Sequence, residues 1–509
     1  MRVLGLVLGA LLLQGCASFA YTNVKLGTRE DTAPKASFTI APRPTKTEPR
    51  VLVLLALSGG GSRAAYFSAR TMLALERLPS PQGGVINALN EVDLISSVSG
   101  GSLAAAYYAS SFDAGEQGVP AGRRIWDEAT VTELMGRDYI ARWIGNWFWP
   151  VNIAKFWFTA FDRTDIMAQT FADNFFDHTT NGVDLRFRDL NRARPNIVLN
   201  ATIGSRTSDK ENPATAKTFG TVFTFTSEDF AAKLNSDIVD YELARGVMAS
   251  ATFPAAFNYM TLRDMHESPV CPGKGSLCYV HVFDGGNADN LGLTSIKRAL
   301  LANHAAAIAK YERIVVVLVD AFRESRGADP RAANPRGPLS YVVDLNFLDA
   351  TDSLLEANRQ RLLSEFFARA ITEGKADECH HDNLPDDACA ASAAWKGKGP
   401  SANQLRQILA EKLFFFHVAF DAVKEDTLRD RLHAIPTTFA FAEGEMDAIE
   451  RGVSDIFTDP AGSAYPCARR LAQILTQPST THVVVEGNLW CGGATAAEKG
   501  AREQLQMSQ

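Results

Sequence analysis

Several stretches of this chain are apolar at every position rather than at alternate ones. Val51-Leu52-Val53-Leu54-Leu55-Ala56-Leu57-Ser58 has the unbroken hydrophobicity of a strand buried on both faces, as in parallel sheets. Arg313-Ile314-Val315-Val316-Val317-Leu318-Val319-Asp320 repeats the pattern, and Phe414–Phe420 and His482–Val485 are strand-like runs late in the chain. Leu94–Val98 is β-favouring and gives way to a small-residue turn and an alanine-rich helix through Ala106. Tyr279–Phe283 alternates like a strand with two unlike faces. Ala64–Leu78 reads as a helix, and Val342–Ile371 as one or two amphipathic helices. The fold class expected is α/β with a mostly parallel central sheet.

Where the patterning stops, the chain predicts its own joints. Residues 17 to 48 carry prolines at 34, 42 and 44, with Pro49 just after, and little periodicity, which predicts a flexible tether over 16–48. Residues 324–337 and 372–404 read as surface insertions. No internal repeat is apparent, and the recurrence of late strands favours one elaborated catalytic domain over 49–460. Residues 461–509 are expected to be an extension packed on it.

The N-terminus changes the picture of where the chain works. Met1-Arg2 is followed by an apolar run from Val3 to Leu13, too short to span a bilayer and typical of a cleaved signal over 1–15. Leu13-Gln14-Gly15-Cys16 resembles a bacterial lipobox, which implies cleavage before Cys16 and acylation of its thiol. Ala17-Ser18 follow, with no aspartate to suggest retention at the inner membrane. The expectation is a lipid-anchored protein of a bacterial outer membrane, facing the periplasm. In such a compartment disulfides persist. Cys271 with Cys278, Cys379 with Cys389 and Cys467 with Cys491 are neighbours in sequence, though six cysteines permit fifteen pairings. Glu378-Cys379-His380-His381-Asp382 invites a metal reading, but adjacent side chains diverge too much to surround one ion. No metal is expected. The net charge of −7 gives no general attraction to nucleic acid or to anionic lipid.

Three segments carry candidate chemistry. Ser97-Val98-Ser99-Gly100-Gly101 places one hydroxyl at the apex of a strand-to-helix turn, the form of a nucleophile elbow; an ordinary turn with a buried serine would look the same. Gly59-Gly60-Gly61-Ser62-Arg63 follows the first strand. Three glycines can turn several N–H groups toward one anion. No Gly-Lys-Ser/Thr follows, so an oxyanion hole is a better use of them than a phosphate loop. Arg63 would either brace this loop or meet an anionic head group. Asp284-Gly285-Gly286 ends the alternating strand, in the position where open α/β sheets build their sites, although a plain Asp-Gly turn reads the same way.

Together the three resemble the patatin-like phospholipase family. Gly59-Gly60-Gly61-Ser62-Arg63 looks like its oxyanion loop, Ser99 like its nucleophile, and Asp284-Gly285-Gly286 like its Asp-Gly-Gly/Ala motif. Ala249–Pro254 looks like the small-residue segment before that aspartate, and Ser97 replaces the family's first elbow glycine. The resemblance spans Val51 to Phe322 and continues faintly through Ile435–Phe439 to about Phe457. It implies a three-layer α/β/α fold and hydrolysis of acyl esters, of phospholipid or lysophospholipid, by a Ser–Asp dyad with no cofactor. Gly101, Gly285, Gly286 and Arg63 would support the dyad. Two alternatives stand beside it: an esterase or thioesterase of small or neutral lipids, and a non-catalytic lipid-binding lipoprotein. The oligomeric state is not legible.

A histidine base would contradict the dyad. Of nine histidines only His281 lies near a motif, and strand alternation points it away from Asp284. A remote residue such as His178 or His417 is the remaining triad option. Finally, Trp143, Trp147, Trp149 and Trp157 crowd one segment with Phe148, Phe156, Phe158 and Phe161. Such a stripe is more often core than surface, so residues 143–161 are expected to be a buried helical hairpin, with a lid or lipid-facing wall as the alternative.

Overall fold

A computed structural model describes residues 23–27, 35–43, 45–80, 82–205, 219–254, 256–266, 278–303, 310–323, 355–363, 412–458, 466–476 and 489–490. Cys16, Cys271, Cys379, Cys389, Cys491, the Glu378–Asp382 cluster, both insertions and His482–Val485 lie outside them, as do the side chains of Cys278 and Cys467.

The unbroken apolar runs become the centre of one nine-stranded sheet. Its strands are β1 (Val51–Leu57), β2 (Leu94–Val98), β3 (Asn196–Ile203), β4 (Val222–Phe225), β5 (Met260–Asp264), β6 (Cys278–Asp284), β7 (Arg313–Asp320), β8 (Leu413–Ala419) and β9 (Leu489–Trp490). The order is β5-β6-β3-β2-β1-β7-β8-β9, with β4 also on β3. From β3 to β9 neighbours are parallel, whereas β4, β5 and β6 join antiparallel.

Helices cover both faces, which explains why the central strands are apolar throughout. Among the helices are α1 (Gly61–Leu75), α2 (Gly100–Ser110), α3 (Tyr139–Trp147), α4 (Pro150–Phe158), α5 (Leu243–Ser250), α6 (Leu293–Ala302), α7 (Glu445–Phe457) and α8 (Pro466–Thr476). Val53, Leu55 and Leu57 of β1 pack with Phe67 of α1, Leu103 of α2, Ile449 of α7 and Leu471 of α8. The intervening Leu52, Leu54 and Ala56 pack with Ile296 and Leu300 of α6 on the other side. The period-2 pleat thus feeds two separate cores, and the three-layer arrangement follows.

The tether expectation fails for the described part of the N-terminus. Ala36 and Phe38 are buried, and Phe38 lies under the guanidinium of Arg298, 4.2 Å from ring centroid to Cζ. Ile197 donates its N–H to the Lys35 carbonyl, and Asn196 Nδ2 donates to the carbonyls of Ser37 and Thr39. Val24–Lys25 pairs with Ser236–Asp237. Prolines broke the periodicity here, but backbone pairing and one buried aromatic do not need periodicity.

The core expectation for residues 143–161 also fails. α3 and α4 do form a helical hairpin, but Phe148, Trp157 and Phe158 are 74%, 74% and 76% exposed. Of its aromatic side chains, Phe161 is buried and Trp143 and Trp147 are half-buried, with Trp143 against Phe257.

Candidate active site

The site begins with the strand register. β2 ends at Val98, opposite Asn200 of β3, and β6 ends at Asp284, opposite Ala201. Two strands remote in sequence therefore stop one residue apart on the same neighbour. β6 runs antiparallel to β3, so Asp284 does not reach the site by the rule for parallel strand ends. It arrives because its strand stops level with the end of β2.

Ser99 takes φ 50°, ψ −122°, a strained left-handed backbone for a residue with a Cβ. The strain has a visible restraint. Its N–H donates to Ser250 Oγ (2.9 Å), and Ser250 Oγ donates to the Asn200 carbonyl (2.5 Å). Ser102 Oγ lies 3.0 Å from Ser250 Oγ and donates to Ser97 Oγ at 3.1 Å. The extra hydroxyl of Ser97 is thus hydrogen-bonded, which explains how a serine fits where the family pattern has glycine. Small residues permit the turn. A Cβ on Gly100 would collide with the Gly61 carbonyl, and one on Gly285 with the Asn200 carbonyl. Gly101 rests its Cα side against the carbonyls of Ser58 and Leu57.

Ser99 Oγ donates to Asp284 Oδ2 at 2.9 Å, and Gly286 N–H donates to Asp284 Oδ1 at 2.8 Å. Both side chains are buried, with 7% and 5% exposed. Among the described residues, no Lys, Arg or His pairs with Asp284. Burial pushes its carboxyl up to about 6, against the opposing pull of the Gly286 N–H and the Ser99 hydroxyl. A carboxylate this basic, touching a hydroxyl in strained backbone, can take that hydroxyl's proton near neutral pH.

The glycine loop faces this pair: a Cβ on Gly59 would meet Ser99 Cβ at 3.2 Å. Its three N–H groups are not equivalent. Gly59 donates to the Asn290 carbonyl at 3.0 Å, so it is already engaged. The N–H groups of Gly60 and Gly61 have no acceptor among the described residues, and Gly61 opens α1, where N–H groups lack intrahelical partners. The oxyanion expectation therefore narrows from three glycines to two.

Arg63 is a brace. It is 3% exposed, and its guanidinium donates to the carbonyls of Ala321 (2.9 Å) and Ile435 and to Thr437 Oγ1 (3.2 Å). The next residues complete the support, since Ser62 donates its N–H to the Thr438 carbonyl at 2.7 Å. The Ile435–Phe439 segment thereby fixes the loop.

The three histidines weighed for a triad make other contacts. His281 Nδ1 lies 2.9 Å from Thr261 Oγ1, on the face of β6 opposite Asp284. His417 Nε2 lies 3.0 Å from Asp320 Oδ2. His178 sits in a turn closed by its backbone bonds to Val183, Asn181 and Gly182. Sequence reasoning named Ser250 only within the Ala249–Pro254 segment and missed three contributors: Asn200, Asn290 and Thr202, whose Oγ1 donates to the Asp284 carbonyl at 2.8 Å. A polar pair inside the buried β3 run, Asn200 and Thr202, was the available signal. A separate polar cavity of ≈ 370 Å³ between Asp162, Asp165, Asn258 and Tyr259 includes neither Ser99 nor Asp284.

Comparison with known proteins follows this geometry. No curated protein matches the chain. Among solved structures, the crystal structure of VipD from Legionella pneumophila aligns with 94% of this chain and 79% of its own, at 10% identity and a TM-score of 0.26. The family model described as patatin-like phospholipase matches residues 55–296, a span that contains Gly59–Gly61, Ser99 and Asp284–Gly286. Residues 55–296, just under half of the chain, are thus similar to the patatin-like phospholipase family.

Proposed function

We propose that this protein is a lipid acyl-ester hydrolase of phospholipase A or lysophospholipase type, working through Ser99 and Asp284. The observation that carries the reading is the 2.9 Å hydrogen bond from Ser99 Oγ to a buried carboxylate whose pKa is raised to about 6. Asp284 accepts the Ser99 proton as Oγ attacks the ester carbonyl. Negative charge gathers on the carbonyl oxygen, where the N–H groups of Gly60 and Gly61 stabilise it; each such donor contributes about 3–4 kcal/mol to lowering the barrier. The carbon–oxygen bond to the alcohol breaks, and protonated Asp284 returns its proton to the departing alkoxide. Water then attacks the acyl-serine as Asp284 accepts its proton; the acyl–Oγ bond breaks, Asp284 returns that proton to Ser99 Oγ, and fatty acid is released.

The family likeness supports the lipid class, while the ester position and head group rest on this proposal. Anchoring through an acylated Cys16 in a bacterial envelope, with disulfides among the remaining six cysteines, belongs to the same proposal and rests on sequence.

A fluorophosphonate probe tests the central claim. It should label the protein covalently at Ser99, and labelling and release of fatty acid from defined phospholipids should both vanish in Ser99→Ala. A parent protein that neither labels nor releases fatty acid, or an unchanged Ser99→Ala variant, overturns the assignment.

A further inference from the structure

We infer that the α3–α4 hairpin is a membrane-docking face that sets the hydrolase site against a lipid bilayer. The inference rests on the lipid-hydrolase reading for its purpose, but its evidence is separate.

Exposed large apolar side chains are concentrated here. Of fourteen among the described residues, eight fall between Ile144 and Phe158. They cap both helices and the turn between them, with Phe148 and Trp149 at the turn and Trp157 and Phe158 at the end of α4. Apolar side chains that are scattered singly need no explanation, whereas a contiguous patch does. The hairpin is not a loose element. Trp143 Nε1 donates to the Arg163 carbonyl (2.9 Å), Asn146 Nδ2 to Thr170 Oγ1 (2.9 Å), and buried Asn152 Nδ2 to the Asn146 carbonyl (3.0 Å). These bonds hold the polar side down and leave the apolar side outward.

Charge and size choose the occupant. From Tyr139 to Phe161 the charged residues are Arg142 and Lys155, with no Asp or Glu. In a twofold dimer the same patch meets itself, which would set one cationic patch against another. A bilayer surface supplies phosphates for both cations and an interface that favours Trp. Each helix has nine residues, about 14 Å, less than half of a hydrocarbon core. No described helix is long and apolar enough to cross a membrane. The hairpin therefore lies in the interface.

The hairpin is tied to the site through its base. Tyr139 N–H donates to the Phe439 carbonyl at 2.9 Å, one residue from Thr438, which holds Ser62 of the glycine loop. Trp143 packs on Phe257 at 5.3 Å, just beyond the 249–254 segment that restrains Ser99 and Asp284. The base of the hairpin is thus packed against the segments that hold the glycine loop and the elbow.

The test uses the full chain carrying Cys16→Ser and Ser99→Ala, so that neither an anchor nor turnover intervenes. Vesicles of phosphatidylcholine and phosphatidylglycerol with brominated acyl chains should quench tryptophan fluorescence, and unbrominated vesicles should not. Trp149→Ser with Trp157→Ser should remove most of the quenching. Phe148→Ser and Phe158→Ser, which keep the reporters, should each raise the lipid concentration for half-maximal quenching about tenfold. These side chains are exposed, so the melting temperature should not move. Parent protein that is not quenched, or quenching that survives loss of Trp149 and Trp157, overturns the inference. So does a lipid-free dimer that Trp157→Ser makes monomeric. Turnover of a soluble short-chain ester, measured with Ser99 intact, separates the two readings. Turnover without quenching defeats docking alone, and quenching without turnover defeats the catalytic reading alone.

Discussion

Asp284 and Asp320 are both buried carboxylates at the last residue of a strand in one sheet, and they behave oppositely. Burial raises both. Asp284 has only a backbone N–H and a serine hydroxyl to oppose it, and its pKa stays up, at about 6. Asp320 accepts from Arg359 Nε (2.9 Å) and Nη2 (2.8 Å) and faces His417 Nε2 (3.0 Å), which hold it well below the usual carboxylate range despite burial. Neutral partners leave a carboxylate basic, and cationic ones make it inert as a base. His417, one of the two histidines that offered a triad, helps to lock Asp320. Polar residues at strand ends in this sheet thus divide into one pair that can move a proton and one cluster that holds structure.

Exchange of each carboxylate for an amide breaks the comparison most directly. Asp284→Asn should lower kcat/KM on a phospholipid or soluble ester by about 10²–10⁴-fold and leave the chemical-denaturation midpoint at pH 8 no lower. Asp320→Asn should do the reverse. It leaves Arg359 buried without its anion, at a cost of about 3–5 kcal/mol, read in the same denaturation series, while activity per folded molecule largely persists. A large activity loss from Asp320→Asn with none from Asp284→Asn would exchange the two roles.

The pH dependence sharpens the contrast. Asp284 must be ionised to accept the Ser99 proton, so kcat/KM should fall by about tenfold per unit below pH 6, and this limb should be missing from the residual activity of Asp284→Asn. For stability the signs differ. The raised pKa of Asp284 gives a contribution fully present below its unfolded value of about 3.9 and lost as pH rises through about 6. The depressed pKa of Asp320 gives a contribution present above about 3.9 and lost as pH falls toward its folded value. Acid unfolding should therefore weaken in slope in Asp320→Asn and not in Asp284→Asn.

Smaller effects probe the supports. Ser250→Ala removes the acceptor for the Ser99 N–H and should reduce kcat by about tenfold, equivalent to one net hydrogen bond, with little change in KM. His417→Asn should cost about 1–3 kcal/mol of stability and leave the acid limb near pH 6 in place. If His417→Asn instead abolishes activity, the dyad is wrong and a triad operates.

Much of the site was legible before the fold. Unbroken apolar runs mark strands covered on both sides, since a two-sided strand has no solvent face to make polar. Three glycines after one such run and small residues around Ser99 mark backbone crowding that no larger residue tolerates. What the sequence could not reveal is set by pairing across large separations. That Asp284 meets Ser99 depends on β6 running antiparallel and stopping opposite Ala201, a register that local pattern does not encode. That Gly59 is engaged by Asn290, that Arg63 braces and does not bind ligand, and that Ser250 restrains the elbow all depend on contacts from distant segments. The packing of residues 35–40 against β3 and α6 is of the same kind. The aromatic run of α3 and α4 is the clearest instance: its composition suits core and lipid equally, because both are apolar. Only the tertiary structure, by already filling the core without it, leaves Phe148, Trp157 and Phe158 outside.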